Sequence, residues 1–433
     1  MFTRLIKMIL IVILLVMLCI ALQQSITSIE AKTVKIASYN VENLFDLANN
    51  GTEYSAYIPN TGSGWTKDIA HSKYTNIAQV IKDLKADVVA LQEVESKKAL
   101  ITLRNRLKDI GAYYPYYEIA ESAPTPVKCA VLSTFKIVER EEIEIDTNVA
   151  RNILKITLDI DGNGLILFIN HWKSKRYPES MRIADATALK KALEKLQEDV
   201  DFILIGDFNA NYNEYETFLN TDRLNDTNGI TGINHILKTI NNAALVNETL
   251  LTKQAANEYL YNLWCEVDET RRWSYTFSGE KESPDNIIVS KALYDTTGIS
   301  YRDNSFDTFQ PDYLFNGTMI YRWQITERGK GRHLGKGYSD HLPIYAYFTT
   351  EPFRFINNDN PESLEPEKKE PAPKLLDLNT ASKEELMSIN GIGPVLSSRI
   401  IDGRPYKTVD DLLNIKGIGP TRLKQFRSSF FVK

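Results

Sequence analysis

The sequence predicts an α/β domain followed by a small all-α unit. Between residues 33 and 350, short apolar runs alternate with segments of helical spacing, which is typical of α/β proteins. Residues 351–374 then hold five prolines among many charges, which predicts an extended linker. Residues 375–433 repeat a short Gly-Ile-Gly-Pro motif, each copy ahead of a helical stretch. These observations separate a large mixed domain from a compact helical one.

Length and composition limit the classes of protein that this chain can be. It has 433 residues, long for one average domain, and its hydrophobic content of 43% is enough for an ordinary core. The net charge of -5 excludes a general polyanion-binding surface, so any nucleic-acid site has to be a local basic patch. Its 3 cysteines include Cys19 in the apolar N-terminus, which leaves two and excludes a disulfide scaffold.

Residues 1–31 are typical of a targeting segment. Arg4 and Lys7 precede an apolar run from Met8 to Leu22, as a basic region precedes the hydrophobic region of a signal peptide. The run is short for a membrane span, which needs about 20 residues. We therefore expect export across a membrane, with cleavage of the segment and its retention as an N-terminal anchor both open. The protein would then be secreted or held at the cell surface.

The predicted elements of the large domain follow from the spacing of apolar residues. Strands are predicted where such residues alternate or run together, and helices where they recur every three or four positions. The predicted strands cover 34–40, 87–91, 130–133, 165–169, 202–205, 287–289 and 343–348. The predicted helices cover 76–84 and 181–196. In α/β proteins, functional side chains gather at strand ends, so these positions are the first to inspect.

Four carboxylates, two histidines and two asparagines lie at these strand ends. They are Asn40, Glu93, His171, Asp207, Asn209, Asp285, Asp340 and His341. Taken singly, each has an ordinary structural explanation, since Asp and Asn form turns and a lone histidine usually serves a structural hydrogen bond. Together they are the set that a metal-dependent phosphodiesterase needs. Carboxylates suit a hard cation, a His–Asp pair serves acid–base chemistry, and amide or imidazole donors bind phosphate oxygens.

Six short motifs containing these residues occur in one order along residues 33–350. They are Ser38-Tyr39-Asn40-Val41-Glu42-Asn43, Gln92-Glu93-Val94, Asn170-His171-Trp172-Lys173-Ser174, Gly206-Asp207-Phe208-Asn209, Pro284-Asp285-Asn286-Ile287-Ile288 and Ser339-Asp340-His341-Leu342-Pro343. In this order they resemble the motifs of the endonuclease/exonuclease/phosphatase family. The resemblance implies a four-layer α/β sandwich, with two β-sheets flanked by helices, that cleaves phosphate esters with a divalent metal.

The resemblance also implies which residues hold the metal. Glu93 is similar to the principal ligand, Asn40 lies beside it, and Asp340 is expected near the metal or an imidazole. The expected cofactor is Mg²⁺ or Mn²⁺, because both prefer oxygen ligands. Residues 124–130 show no clear match to the second acidic residue of pancreatic-type deoxyribonucleases, which leaves membership of that subgroup open within a deoxyribonuclease-like resemblance.

Catalytic roles follow from the same resemblance. Asp207 would orient or deprotonate the attacking water, and His341 would contact the scissile phosphate. Asn209 and His171 would bind phosphate oxygens. Asp285 would be the carboxylate that orients His171.

The C-terminal repeat resembles tandem helix-hairpin-helix motifs, like those of the bacterial competence DNA receptor. Its glycines expose backbone N–H groups at helix N-termini, where phosphate binds without sequence being read. Residues 375–433 hold nine Lys and Arg against six Asp and Glu, a net charge of +3. The expected DNA contacts are Gly391, Ile392, Gly393, Lys416, Gly417, Ile418, Gly419 and Arg422. Two tight turns that serve packing alone are the alternative.

Three functions remain open at this point. The leading hypothesis is an exported or surface-anchored, metal-dependent nuclease whose C-terminal unit holds the DNA backbone. A second keeps the fold but takes a phospholipid or an inositol phosphate, which membrane targeting favours and the hairpins disfavour. A third is a non-catalytic DNA-binding surface protein, against which the complete acidic set argues. For the leading hypothesis we expect a monomer whose partners are DNA and, if the N-terminus is retained, a membrane.

Overall fold

The computed structural model describes two stretches of the chain. These are residues 31–356, apart from 148–150, 220, 256–257 and 330, and residues 376–432, apart from 388, 390–391, 420–421 and 424–425. The chain divides into two compact units, Met1–Ile356 and Asn357–Lys433. Residues 1–30 of the predicted targeting segment and residues 357–374 of the predicted linker lie outside the described residues. Within the described ranges, no helix is long and apolar enough to cross a membrane.

The strands and helices are numbered here in chain order. The strands are β1 (Thr33–Leu44), β2 (Val88–Val94), β3 (Tyr116–Ile119), β4 (Lys128–Ser133), β5 (Lys136–Ile143), β6 (Ile153–Ile160), β7 (Asn163–His171), β8 (Phe202–Asp207), β9 (Ile240–Asn241), β10 (Ala244–Leu245), β11 (Tyr261–Asn262), β12 (Tyr275–Phe277), β13 (Glu280–Glu282), β14 (Asp285–Val289), β15 (Ser300–Tyr301), β16 (Asp307–Thr308), β17 (Phe315–Asn316), β18 (Met319–Ile320), β19 (Ile344–Thr349), β20 (Leu376–Asp377) and β21 (Phe430–Phe431). The α-helices are α1 (Lys67–Leu84), α2 (Lys97–Asp109), α3 (Glu179–Leu193), α4 (Glu214–Thr217), α5 (Glu248–Lys253), α6 (Thr326–Gly329), α7 (Lys383–Met387) and α8 (Pro394–Asp402). Shorter 3₁₀ or π turns cover Ser55–Tyr57, Gly232–Ile236, Leu263–Glu266, Glu269–Arg271, Lys291–Tyr294, Asp312–Leu314, Val409–Asn414 and Arg427–Ser429.

Two mixed sheets form the first unit. The first sheet has the order β15-β19-β1-β2-β4-β3, with β16 also paired to β19. The second has the order β11-β14-β8-β7-β6-β5. The central pairs β1–β2 and β7–β8 are parallel, while β14 and β19 run antiparallel to them. The carboxyl ends of four strands and the amino ends of two therefore meet at the same edge of the sandwich.

Three apolar clusters show that the layers are helix, sheet, sheet and helix. The central cluster joins the inner faces of both sheets, for example Ile36 and Val88 of the first sheet with Ile169 and Ile205 of the second. A second cluster packs the outer face of the first sheet on α1 and α2. A third packs the outer face of the second sheet on α3. The predicted four-layer α/β sandwich is confirmed.

Backbone irregularities in β1 and β2 shape the functional edge. The pairing of these strands shifts register between Asn40 and Leu44, and β2 shifts again against β4. Within the shifts, Glu42, Asn43 and Glu93 have positive φ values of 48, 62 and 67°. Left-handed residues other than glycine are uncommon and concentrate at functional sites. The bulges thus turn the Glu42 and Glu93 side chains away from the directions that regular strands would give them.

Gly206 brings β7 and β8 together immediately before Asp207. Its φ is 137°, and a Cβ atom at this position would lie 2.1 Å from the Asn170 carbonyl oxygen. Asn170 is its register partner on β7. No side chain fits between these two backbones. Glycine is therefore needed here to let β7 and β8 approach each other closely, and not only to allow the chain its positive φ.

We expect Gly206→Ala to lower the free energy of unfolding by about 3–5 kcal/mol, through backbone strain plus overpacking. The measurement is the urea midpoint of unfolding at constant m-value. Gly162→Ala is the matched control, since Gly162 also has a positive φ of 88° but nothing within 4 Å of the added Cβ. The control should lose only about 1–2 kcal/mol. Equal losses in both variants would contradict the close-approach explanation.

The second unit is a small helical fold closed by one short strand pair. β20 and β21 pair in parallel, which ties the first described residues of this unit to those near its last described residue. The core consists of apolar side chains from every segment, including Leu378, Leu386, Ile400, Leu412 and Phe426, all with 0% exposure. The helical stretch that the sequence predicts after the first glycine motif, residues 395–401, lies within α8, and the stretch predicted after the second, residues 421–426, is only partly described.

Candidate functional site

The strand-end residues of the first unit meet at one edge and cross-link the two sheets. The Asn40 amide of β1 donates to Asp207 Oδ2 of β8 at 3.0 Å and to Glu93 Oε1 of β2 at 3.3 Å. Ser339 Oγ donates to the Asn40 carbonyl at 2.6 Å, which brings the residues before β19 to the same place. The structure therefore brings together Asn40, Glu93, His171, Asp207, Asn209, Asp285, Asp340 and His341.

Glu93 is a buried carboxylate with one open side. Its Oε2 accepts the Asn43 backbone N–H at 2.9 Å, and its side chain keeps 21% exposure. Burial raises the pKa of Glu93, and the nearby Asp340 raises it further. Asn40 turns its NH₂ group to Glu93, while its Oδ1 accepts the Glu42 N–H at 3.0 Å. Asn40 consequently orients Glu93 as a hydrogen-bond donor.

Asp207 lies deeper than Glu93, with only 2% exposure. Burial raises its pKa to about 7; the His341 cation opposes this rise and Asp285 adds to it. Asn209 donates its backbone N–H to Asp207 Oδ1 at 2.8 Å and its amide to Oδ2 at 3.2 Å. The same amide donates to the Trp172 carbonyl at 3.0 Å. Asn209 thus holds Asp207 in place, and its backbone N–H and its side-chain amide are both used in these hydrogen bonds.

Asp285 pairs with His341. His341 Nδ1 lies 2.7 Å from Asp285 Oδ2, which also accepts the Ser274 hydroxyl at 2.6 Å. The expectation that Asp285 orients His171 is wrong. The strand positions explain why Asp285 pairs with His341 instead. β14 begins opposite the segment that leads into β19, and this places its first residue, Asp285, next to His341. Tyr275 covers the other face of this imidazole, with ring centroids 4.7 Å apart.

The two histidines of the site differ in charge. Burial lowers the pKa of His171 well below its usual range, and the cationic Arg151 lowers it further. Burial would also lower the pKa of His341, but Asp285, Asp207 and Asp340 together raise it well above its usual range. His171 is therefore a neutral imidazole and His341 a cation at neutral pH. Paired groups shifted in opposite directions are typical of acid–base sites.

His171 faces the carboxylates without a close partner among the described residues. Its Nε2 lies 3.7 Å from both Glu93 Oε1 and Asp207 Oδ2, and its Nδ1 is buried without a hydrogen-bond partner in the described chain. A neutral imidazole in this place has one N–H group that can donate to a phosphate oxygen.

Arg322 and Glu42 belong to the site although sequence reasoning did not select them. Arg322 pairs with Glu42 and lies 3.1 Å from Asp340 Oδ2, while 56% of its side chain stays exposed. Burial raises the pKa of Glu42 to about 7, and Asp340 adds to the rise while Arg322 opposes it. Arg322 thus offers a partly solvated guanidinium at the rim of an acidic cleft, where a phosphate would arrive.

The donor set of this cleft fits a hard divalent cation. Glu93 and Asp340 keep 21% and 19% exposure and present carboxylate oxygens on the open side. Burial raises the pKa of Glu93 and the nearby Asp340 raises it further, so a cation between the two carboxylates would offset an existing electrostatic cost. Carboxylate oxygens are the preferred ligands of Mg²⁺ and Mn²⁺. A separate acidic cluster, Glu248, Glu266 and Asp303, lies on other elements and is not part of this cleft.

The glycine hairpins of the second unit are partly described. Gly391 lies outside the described residues, and Gly393 is the exposed N-cap of α8 with Pro394 at its first turn. Lys416, Gly417, Gly419 and Arg422 are exposed. Gly417 has a φ of 108°, which favours glycine.

The isoleucines of both hairpins face the core. Ile392 and Ile418 have 3% and 4% exposure, so only their backbones are available to a ligand. Arg399 donates to the Lys416 carbonyl at 2.7 Å, and Arg422 to the Gly417 carbonyl at 2.8 Å. These hydrogen bonds stabilise the backbone of the second hairpin, and the two arginines add positive charge beside it.

Two family models match the chain. The endonuclease/exonuclease/phosphatase family model covers residues 35–229, and a helix-hairpin-helix motif model covers residues 373–431. The first unit carries an endonuclease/exonuclease/phosphatase family domain. The second carries a helix-hairpin-helix motif, so both predicted resemblances are confirmed. The family model spans β1 to β8 and therefore includes Asn40, Glu93, His171 and Asp207.

Curated relatives match shorter segments of this two-part chain. A protein named deoxyribonuclease from Thioalkalivibrio sp. (strain K90mix) is 34% identical over 90 residues, which are 21% of this chain and 23% of that protein. ComE operon protein 1 of Bacillus subtilis (strain 168) is 38% identical over 64 residues, 14% of this chain and 31% of that protein. The chain thus spans less than a third of the length of either relative.

Solved structures resemble the endonuclease/exonuclease/phosphatase family domain at low identity. A humanized D. rerio TDP2 is 17% identical with a TM-score of 0.44, covering 73% of this chain and 98% of that one. A Bacteroides thetaiotaomicron family protein is 14% identical with a TM-score of 0.44, covering 74% and 99%. The strand order given above, and not these scores, defines the fold.

Proposed function

We propose that this chain is an exported phosphodiesterase that hydrolyses DNA, depends on Mg²⁺ or Mn²⁺, and holds its substrate with the helix-hairpin-helix unit. The observation that carries the proposal is the His341–Asp285 pair beside Asp207 and Glu93, at the meeting edge of two sheets. A binding protein has no use for a buried imidazolium held against three carboxylates. Export is supported by Arg4, Lys7 and the apolar run that follows them.

Each residue of the cleft has a role in this proposal. Asp207 accepts the proton of the attacking water, and its pKa of about 7 makes it a base of suitable strength. The His341 cation donates to the scissile phosphate, whose negative charge grows as the fifth bond to phosphorus forms. Neutral His171 donates to a non-bridging oxygen. Arg322, at the rim, attracts the phosphodiester backbone into the cleft.

Glu93 and Asp340 are the residues that would hold the divalent cation. When bound, such a cation supplies Lewis-acid stabilisation of negative charge on the phosphate and its leaving oxygen. Asn40 then serves Glu93 by holding it in one orientation. Loss of the Glu93 carboxylate should therefore reduce activity more than loss of any neutral neighbouring side chain.

The second unit supplies affinity for the DNA backbone. Gly393, Gly417 and Gly419 are exposed residues, and their backbone N–H groups, with Lys416 beside them, would form an anion site that reads no bases. The modest charge of +3 implies binding that weakens as salt rises. Lys416→Ala should therefore lower affinity equally for unrelated DNA sequences. Sequence-dependent losses would argue against backbone recognition.

The deciding experiment offers the purified full chain four substrates, with Mg²⁺ and with EDTA. These are supercoiled DNA, linear DNA, RNA and phosphoinositide-containing vesicles. We expect nicking or degradation of DNA that EDTA abolishes, and that Glu93→Gln reduces by about 10³-fold through lost electrostatic stabilisation. Glu198→Gln, at an exposed carboxylate outside the cleft, is the matched control and should keep full activity.

The outcomes separate the alternatives. Release of headgroup from vesicles without cleavage of DNA would replace the nuclease by a lipid phosphodiesterase on the same fold. Binding of DNA that survives EDTA, without turnover of any substrate, would leave a non-catalytic DNA-binding protein. Full activity of Glu93→Gln would overturn the assignment of the site.

A further inference from the structure

The structure assigns a second site for a hard divalent cation, with Ca²⁺ as the favoured occupant, to the far end of the first unit, formed by Glu248, Glu266, Asp303 and the Tyr294 hydroxyl. One carboxylate oxygen from each of the three acids lies within 4.8 Å of the others. Ca²⁺ takes several protein oxygens in flexible geometry, which suits a set of carboxylate and hydroxyl groups. Mg²⁺ keeps several of its waters, so it suits a buried set of protein oxygens less well.

Unpartnered oxygens mark the centre of this cluster. Glu248 Oε1, Glu266 Oε1, Asp303 Oδ1 and the Tyr294 hydroxyl are all buried, and none of them has a hydrogen-bond partner outside this cluster among the described residues. Asp303 and Tyr294 have only 3% and 8% exposure. Buried polar atoms almost always find partners, so four such atoms together indicate a ligand.

The other oxygens of the cluster are tied to the protein, which leaves the unpartnered ones for a ligand. Asp303 Oδ2 accepts the Ile356 N–H at 2.6 Å and the Asn304 amide at 3.0 Å. Glu266 Oε2 accepts the Tyr301 hydroxyl, which in turn accepts backbone N–H groups of Ser305 and Phe306 at 3.1 and 3.2 Å. Asp303 and Glu266 are thus each fixed by one oxygen and present the other.

Electrostatics supports a cation at this place. Burial raises the pKa of Glu248 to about 7, and Asp303 adds to the rise. Burial raises the pKa of Glu266 to about 8, with Glu248 and Asp303 adding to it. Tyr294 lowers both values, so its hydroxyl faces both acids. Among the ion pairs of the described chain, none joins a Lys or Arg to these three carboxylates.

This cluster is distinct from the phosphodiester cleft. Tyr301, which binds Glu266, pairs with Phe348 on β19. Phe348 follows His341 by seven positions, which along a strand corresponds to roughly 23 Å. The cluster instead joins α5, the turn before residue 267, the segment after β15 and the last described residues of the first unit. A cation here would fasten that final segment to the domain.

The experiment measures thermal unfolding in a Glu93→Gln background, which weakens cation binding in the cleft. We expect Ca²⁺ at about a hundred times its Kd to raise the Tm by roughly 4 °C. Glu248→Gln and Asp303→Asn should abolish this shift, and Glu269→Gln, at a nearby exposed acid, should keep it. With EDTA, Glu248→Gln should be at least as stable as its parent, because it removes repulsion between carboxylates.

Terbium luminescence gives an independent readout, since Tb³⁺ replaces Ca²⁺ and is excited by a nearby tyrosine. Light emission excited through Tyr294 and Tyr301 should appear in the Glu93→Gln parent and disappear in Glu248→Gln. No calcium-dependent Tm shift in the parent, or an undiminished shift in Glu248→Gln, would overturn the site. In that case the three acids share protons. Glu248→Gln decides even if Asp303→Asn fails to fold.

Discussion

Asp207→Asn should reduce DNA cleavage by about 10³–10⁴-fold while leaving the fold intact, because it removes the base that accepts the proton of water. Asn keeps the size of the side chain and can still accept the hydrogen bond that Asn209 donates from its backbone. It also removes one charge from a buried cluster in which burial, with Asp285 adding to it, raises the pKa of Asp207. The new NH₂ group cannot accept the amide N–H groups that Asn40 and Asn209 donate to Asp207 Oδ2, so we expect the variant to fold but to unfold at a slightly lower temperature than the wild type.

The measurement pairs kcat/KM on supercoiled DNA with a melting curve of the same sample. DNA affinity should change little, since Asp207 has only 2% exposure and our proposal assigns much of the binding to the helix-hairpin-helix unit. The loss should therefore appear in kcat and not in KM. Asp109→Asn, at an exposed helix end, is the control and should behave as wild type. A variant that keeps even a tenth of wild-type kcat would remove Asp207 from the role of base.

The central strands and the list of site residues could be predicted from the sequence for a physical reason. Buried strands such as β2, β7 and β8 are almost continuous apolar runs, and each ends in a motif that contains a site residue. The strand pair β5–β6 was not predicted. β5 is mostly exposed and rich in Glu, so it gives no apolar pattern, whereas β6 does alternate, with Leu154, Ile156 and Leu158 buried. That alternation was a usable signal.

Which site residues contact each other was harder to predict from the sequence than which residues belong to the site. The sequence places Asp285 and His341 at strand ends but does not reveal that β14 opens beside the segment leading into β19. Arg322 lies in an irregular stretch and meets Glu42 across 280 positions of sequence. Nothing in the local pattern of either residue marks that contact. The left-handed backbone of Glu93 is likewise a consequence of register shifts between strands, which depend on tertiary structure.

Asp285→Asn should lower activity, relative to the wild type, far more at alkaline pH than at acidic pH. In the wild type, burial lowers the pKa of His341, but Asp285 with Asp207 and Asp340 raises it well above its usual range, so the imidazole keeps its charge to higher pH than an ordinary histidine. Without the Asp285 charge, the lowering effect of burial is opposed less strongly, so the pKa of His341 falls. The cation is then present at low pH and is lost as pH rises through the new, lower pKa.

The expected result is a loss of kcat at pH 8 that is at least about tenfold larger than the loss at pH 6, since each unit of pKa changes the charged fraction tenfold. Ser274→Ala is the matched control. It removes the other donor to Asp285 Oδ2, at 2.6 Å, but leaves the carboxylate charge beside His341. It should lower activity by a similar factor at every pH. If Asp285→Asn lost activity equally at pH 6 and pH 8, Asp285 would act through position alone, and the charge on His341 would have no part in the reaction.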